Sequence, residues 1–304
     1  MSLPSATELL AETRVIALPL RARFRGLTGR ETMLVRGPAG WGEFAAFTEY
    51  DDAESAPWLA SAIEQAWGTG PTDAERPLFR TDVRTNATLP AVDAVDVPSI
   101  LERFGDFRTV KIKVAESGQT LADDVARVAA ARSFVGDEGR VRIDANGGWN
   151  VDEAEHAIRA LEQFDLEYVE QPCSTVEELA ELRERVHRMG ILIAADESVR
   201  KAEDPIAVAR AGAADILVIK VAPLGGVRRA LEIIDAAGLP VVVSSALESS
   251  IGLAASFDLA RRIKDLDYDC GLATDALFTG AEQTVSTERE QWWRERAARC
   301  LDLL

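Results

Sequence analysis

Histidine and cysteine are scarce in this chain: 304 residues hold two histidines and three cysteines. Cys173, Cys270 and Cys300 stand far apart with no CxxC or comparable spacing, which argues against a disulfide framework or a thiolate zinc site and points to a reducing compartment. His156 and His187 fall in helical patterns away from strand ends and read as helix-surface residues, so histidine-based catalysis and a histidine-ligated metal are both set aside. No apolar run is long enough to span a bilayer, and the first twenty residues carry Glu8 and Glu12, which is wrong for a signal peptide. The expected location is the cytoplasm. Basic residues number 34 against 51 acidic ones, and the net charge of −17 repels phosphates. Nucleic acid and anionic membrane are therefore not expected as partners; a small-molecule carboxylic acid is, and the chain is expected to be a monomer or homo-oligomer. A glycine-rich nucleotide turn, a nucleophile elbow and a P-loop are missing too, APLGG at 222–226 lacking the Lys and Ser/Thr that would follow.

What is present is a large apolar fraction, 47% of the chain, and a change of texture along it. From about 12 to 50, short alternating segments broken by Gly and Pro predict an antiparallel meander, followed by a helix near SAPWLASAIEQAWG. GPTDAERP predicts a junction near 70–80. Beyond it, strand-like segments alternate with amphipathic helices: TNATLPAV, TVKIKVAE, RVRIDANG, LEYVEQP, ILIAADES, DILVIKVAP and PVVVSSALE, with a weaker eighth candidate at YDCGLAT. The pattern predicts an α/β fold, a TIM-type (β/α)7β or (β/α)8 barrel over 81–280. A smaller α+β N-terminal capping domain over 1–80 is expected, with 281–304 packing back on it. A doubly wound sheet is the rival, but it would normally carry a glycine-rich turn after its first strand.

Chemistry in such barrels gathers at the carboxyl ends of the strands. Asp144, Glu170 and Asp196 end successive strand segments 26 residues apart, and Lys113 and Lys220 bracket them. Period-two geometry puts Lys111 with Lys113, and Asp144 with Asn146, on the inward face, while Val110, Ile112 and Val114 face the helices. Three carboxylates without imidazole or thiolate suit a hard divalent cation, Mg²⁺ being typical where positions stay open for substrate. Lysine then remains as the acid/base. Its ordinary pKa of ~10.4 must be depressed for that role, which neighbouring cations such as Lys111 and the metal are expected to do. Lys111 is alternatively a structural partner of an inner acid. A base lysine facing a metal-bound carboxylate suits removal of a proton α to that carboxylate.

KIK at 111–113, DAN at 144–146, VEQP around Glu170, ADES with Asp196 and Glu197, and VIK ending at Lys220 resemble, in this order, the enolase superfamily and its muconate-lactonising subgroup. The resemblance covers nearly the whole chain, GWGEF at 40–44 being similar to the subgroup's capping domain. It implies that Asp144, Glu170 and Asp196 hold Mg²⁺, that Lys113 takes the α-proton and returns it to a leaving hydroxyl, and that Lys220 stabilises the enediolate from across the substrate. The implied reaction is a syn elimination of water giving an aromatic product, a hydro-lyase reaction. Asn146 and Glu197 are expected around the ligands, and Ser245 and Ser249, with Ser244 and Ser250, either meet substrate oxygens or cap a helix. Arg21, Arg23 and Arg25 are candidates for a second substrate carboxylate or for solvent. Trp41 and Phe44 are expected to pack cap against barrel, Trp292 and Trp293 to anchor the C-terminal segment, and Cys173 to be packing. Rival functions are an N-acylamino acid racemase or dipeptide epimerase with Lys113 and Lys220 as two bases, a Schiff-base aldolase, and a non-catalytic ligand-binding barrel.

Overall fold

The computed structural model describes residues 3–24, 26–201 and 204–304. The chain opens with an antiparallel sheet of β1 (Thr13–Phe24), β2 (Leu27–Gly37) and β3 (Gly40–Phe44). In β1 the buried side chains alternate, Ile16, Leu18 and Leu20 facing inward and Arg21 and Arg23 outward, as a sheet with one wet face requires. The Asp52–Trp67 helix covers this sheet; Asp51 caps its start by accepting from Glu54 N, and Gly68 closes it at φ 65°. Gly37 and Gly42 let the helix approach closely, since a Cβ at Gly42 would lie 2.0 Å from the Ala62 carbonyl oxygen.

Seven parallel strands follow: β4 (Ala87–Leu89), β5 (Thr109–Lys113), β6 (Arg140–Asp144), β7 (Leu166–Glu170), β8 (Ile193–Ala195), β9 (Ile216–Ile219) and β10 (Val241–Val243). Each pairs with the next in chain order, which excludes the doubly wound alternative with its reversal of strand order. The weak eighth candidate proves to be a closing segment rather than a full strand. Cys270 bridges Thr85 beside β4 and Gly271 bridges Ser244 beyond β10, so the sheet curls round and its two edges share one short piece of chain.

Helix starts around the barrel are set by local side-chain bonds. Thr120 with Asp123, Asn150 with Glu153, and Thr175 with Glu178 form reciprocal capping boxes ahead of the Leu121–Val135, Val151–Leu161 and Val176–Val186 helices. A continuous core of strand and helix side chains, including Val110, Ile112 and Val114, fills the layer between them. At the end of the chain β11 (Gln283–Thr284) pairs with β1, and the Thr287–Leu301 helix packs on the first sheet's helix. Trp293 is fully buried there, its ring edge-on to Phe44 at 5.5 Å and edge-on to Trp292.

Candidate active site at the barrel mouth

Parallel register decides which side chains meet. Lys113 lies opposite Asp144, and Asp144 opposite Glu170, so three consecutive strands present one rung of charged groups on the inner face. Glu170 lies opposite Ala194, and Asp196, two residues further, returns to the same face. Lys220 follows Ile216 and Val218 at the same period, and both of those sit in the small cluster inside the barrel. All three acids are fully buried and the lysines nearly so.

Ammonium and carboxylate groups interlock in this space. Lys111 Nζ donates to both Glu170 oxygens at 2.8 and 3.0 Å and stands 3.4 Å from Asp144. Lys113 Nζ donates to Asp144 at 2.5 Å and to Asn146 Oδ1 at 2.7 Å. Lys220 Nζ donates to Asp196 Oδ2 at 2.6 Å, and Arg200 reaches the other oxygen of the same carboxylate at 3.2 Å. Glu197 accepts from Arg200 at 2.7 Å and from Asn146 at 3.2 Å, so Asn146 links Lys113 to Glu197 and Arg200 links Glu197 to Asp196.

Electrostatics separate the three acids. Burial pushes Glu170 up, Asp144 adds repulsion, and the net result is a pKa of about 7 despite Lys111. Burial acts on Asp144 in the same sense, but Lys113 and Lys111 reverse it and hold that carboxyl well below the usual range. Asp196 is likewise held low, Lys220 and Arg200 outweighing its burial. Burial would lower Lys111, yet Glu170 and Asp144 raise it well above its ordinary value. Lys111 is thus a firmly charged partner of the inner acids, consistent with the structural role open to it from sequence.

Among the described residues no three acid, histidine or cysteine groups stand in a metal-ligating arrangement as the side chains lie, each carboxylate being turned to an ammonium partner. The donor set nonetheless fits a hard divalent cation. Three buried carboxylates share one mouth, and two of them already answer to one cation, Lys111 Nζ standing 2.8 Å from Glu170 and 3.4 Å from Asp144.

The mouth encloses a cavity of about 30 Å³, room for roughly one water, walled by Lys113, Lys220, Ser245, Thr274, Phe24 and Phe47. Ser244 and Ser245 line it, with Ser245 Oγ 2.7 Å from Thr274 Oγ1. Ser249 instead caps the Ser250–Arg262 helix and bonds Glu43. Arg21 and Arg23 are exposed and Arg25 lies outside the described residues. The strand's alternation turns Phe24 inward, its ring 5.3 Å from Lys113 Nζ. Trp41 is half-buried in a cluster with Leu34 and Leu247. Cys173 is buried in the core, and both histidines are exposed.

Several residues of the mouth escaped the sequence reading. Phe24 ends β1 and Phe47 lies in the segment after β3, and no spacing relates them to the barrel strands. Arg127, fully buried, donates to Lys113 O at 2.9 Å and to Asp124 at 2.7 Å, while Asp124 accepts from Ala115 N at 3.0 Å. This pair braces the backbone behind Lys113. Ala115, Asn146, Gln171 and Leu247 all hold positive φ just past their strand ends. Such backbone persists only where its surroundings over-determine it, and it gathers at ligand-binding sites.

Residues 96–291 match the enolase C-terminal domain-like family and residues 15–66 the enolase N-terminal domain-like family. The chain is 49% identical to an o-succinylbenzoate synthase of Mycobacterium ulcerans (strain Agy99), over 98% of this chain and 95% of that one. It is 50% identical to one of Mycobacterium tuberculosis (strain ATCC 25618 / H37Rv), over 99% and 97%. Among solved structures, a muconate lactonizing enzyme from Pseudomonas fluorescens complexed with muconolactone superposes at TM-score 0.74 with 23% identity, covering 89% of this chain and 88% of that one. A dipeptide epimerase from Enterococcus faecalis V583 complexed with Mg and dipeptide L-Leu-L-Tyr gives 0.73 with 24% identity, covering 89% and 91%. At those identities the two structures show the shared fold alone.

Proposed function

The chain belongs to the enolase superfamily, and from that premise we infer that it is a hydro-lyase working as an o-succinylbenzoate synthase. In that reaction 2-succinyl-6-hydroxy-2,4-cyclohexadiene-1-carboxylate loses water to give 2-succinylbenzoate, a step of menaquinone biosynthesis. The full-length identity to the mycobacterial synthases carries this reading; the buried rung of Lys113, Asp144 and Glu170, with Lys220 beyond Asp196, supports it chemically.

The residues take these roles. Lys113, as the free amine, takes the proton from the carbon bearing the carboxylate, and the C–H pair is held in the enediolate until it moves into the new ring double bond as the C–O bond breaks. The same ammonium then gives its proton to the departing hydroxyl on the same face, so water leaves syn. Lys220 keeps its proton and sets its charge against the enediolate from the other side. Asp144, Glu170 and Asp196 would hold a divalent metal, Mg²⁺ by the chemistry of the donors. When bound, it would supply concentrated positive charge that lowers the cost of removing the α-proton. Asn146 and Glu197 orient the acids, and Lys111 balances Glu170 from below. With Lys113 as the free amine, Lys111 and Lys220 offset two of the three acids, and a divalent cation would offset the third together with the substrate's ring carboxylate. Ser244 and Ser245 face the substrate; Ser249 supports the wall behind them. Because the product is aromatic, the enzyme's demand falls on proton abstraction, and no further catalytic group is required.

We assign residues 1–80 with 281–304 to a capping unit and 81–280 to the catalytic barrel, in a cytoplasmic protein that binds no nucleic acid and is a monomer or homo-oligomer. Among the described residues no helix is long and apolar enough to cross a membrane. A second reading, racemisation of an N-acylamino acid or dipeptide, draws on the two buried lysines flanking one group of acids, which suit a pair of opposed bases. Ultraviolet detection of the succinyl aromatic acid, with and without chelator, tests the first reading: the product is expected only with metal. Solvent deuterium appearing at the α-carbon of an N-acylamino acid, without any aromatic product from the cyclohexadiene, would favour the second. Inactivity toward every acid tried with Mg²⁺ would favour a binding barrel.

A further inference from the structure

Two carboxylates of the capping unit each seat on the N-terminus of a barrel helix. Glu43, in β3 and 3% exposed, accepts from Ser249 N at 2.9 Å, Ser249 Oγ at 2.6 Å and Gly252 N at 2.7 Å, at the start of the Ser250–Arg262 helix. Glu64, in the Asp52–Trp67 helix, accepts from Val227 N at 2.5 Å and Arg228 N at 3.2 Å, at the start of the Val227–Ala237 helix. The bonds are of one kind, negative charge on orphan backbone donors. Their surroundings are not. The partners of neither carboxylate line the cavity themselves, but Glu43 and its partner Ser249 lie close along the chain to two residues that do, Phe47 and Leu247, whereas Val227 and Arg228 have no such neighbours.

On one side of Glu43 the chain runs through Ala45, whose carbonyl accepts from the buried Arg30, to Phe47, a cavity wall that Arg30 also stacks upon at 3.9 Å. On the other side its partner Ser249 ends the segment whose residues Ser244 to Leu247 form the facing wall. That segment is strained, Leu247 holding φ 64°. It is fixed at the barrel end by Ser245 on Thr274 and within itself by Ala246 N donating to Glu248 at 2.6 Å. At its far end it is fixed by Glu43. Gly252 leaves room for the clamp, because a Cβ there would lie 2.7 Å from Glu43 Oε2.

We propose that Glu43 is a positioning residue of the active site, fixing the Phe47 wall against the Ser244–Leu247 wall and thereby the fit of the substrate's acyl chain, without touching substrate or the reacting carbon. The proposal rests on the barrel mouth being the substrate site. Glu64, with the same bonds away from the cavity, is the internal comparison.

The test is steady-state kinetics and thermal melting of the full chain with Mg²⁺. Glu43→Gln keeps the side chain's size but turns one acceptor into a donor facing Ser249 and Gly252. It is expected to raise KM about tenfold with kcat within twofold of the parent, and to narrow the preference for the succinyl substrate over homologues one methylene shorter or longer. Glu64→Gln is expected to lower the melting temperature comparably while leaving KM and that preference unchanged. Equal KM changes in the two variants, or a fall in kcat at constant KM in Glu43→Gln, would overturn the proposal. Ser249→Ala deletes only the hydroxyl and guards against a Glu43 variant that does not fold: KM is expected to rise about threefold, and an unchanged KM counts against the clamp. Lys113→Ala measured alongside keeps the two readings apart. If it retains full activity the assigned mechanism fails, whereas an inert Lys113→Ala with an unaltered Glu43→Gln removes the clamp alone.

Discussion

Two buried ionic clusters occupy the same barrel, one above the other. At the mouth, Lys111, Lys113 and Lys220 face Asp144, Glu170 and Asp196. One rung below, Arg142 lies between Lys111 and Tyr168 in the strand register, fully buried. Its guanidinium donates to Glu167 at 2.5 Å, to the Asp269 carbonyl at 2.7 Å and to Asn86 at 3.2 Å, and lies 4.8 Å from the Tyr168 ring and 5.7 Å from the Tyr268 ring. Asp269 in turn accepts from Thr109 at 2.6 Å and pairs with Arg84 at 2.9 Å. The lower cluster is built from planar, always-charged guanidinium on fixed partners, including the chain segment that closes the barrel. The upper one is built from ammonium groups, a kind of cation that can give up a proton where a guanidinium does not, and acids pushed apart in pKa. Guanidinium charge thus serves closure of the barrel, and the ammonium groups are the ones to which we assign the proposed chemistry, in keeping with the division of such barrels into a stabilising and a catalytic face.

The largest way to sharpen this contrast is Lys113→Ala. Turnover is expected to fall by about four orders of magnitude, as for loss of a general base, while the melting temperature stays within a few degrees because Lys111 remains beside Asp144. Loss of less than tenfold in stopped-time product assays would undo the division. Removing metal comes next: chelator is expected to abolish dehydration, and added Mg²⁺ both to restore it and to raise the melting temperature through binding to the folded state alone. A melting temperature blind to Mg²⁺ would place the ion elsewhere.

Arg142→Met attacks the lower cluster, leaving Glu167 with Arg140 alone and the buried Asp269 carbonyl and Asn86 without their donor, at an expected cost of about 1–3 kcal/mol in denaturant unfolding. The fraction that remains folded should turn over substrate within a few-fold of the parent; a folded but inactive variant would show that the clusters are one unit. The pH response is subtler. Glu170 rises from 4.5 to about 7 on folding, so between those values the native state holds the proton that the unfolded chain has released. Stability from this group therefore declines as pH rises through that window. In chelator, melting temperature is expected to fall from pH 5 to 7, and Glu170→Gln or saturating Mg²⁺ to flatten the slope. The smallest effect is at Tyr268→Leu, where loss of one ring beside Arg142 should cost about 1 kcal/mol and leave kcat unchanged.

Much of the mouth was legible because a strand repeats every two residues. Once KIK, DAN, VEQ, ADE and VIK are read as strand ends, the inward direction of Lys113, Asp144, Glu170, Asp196 and Lys220 follows from the pleat alone. The same period would have settled Arg21 and Arg23, which alternate outward while Phe24 turns toward Lys113. The floor was less legible: Arg142 shares the inward face of Asp144, but nothing along the chain announces Asn86 or Asp269 as its partners, some 56 and 127 residues away.

The sequence by itself determined the order of strands, the helix starts through Thr120, Asn150 and Thr175, and the residue types gathered at the mouth, because these depend on periodicity and on bonds only three residues long. Only the tertiary structure decided which ammonium answers which acid, how Cys270 and Gly271 close the barrel, and that Glu43 joins the capping sheet to a barrel helix 206 residues later. Those are contacts between surfaces brought together by the packing of separate layers, and their geometry has no local signature for a single stretch of chain to carry.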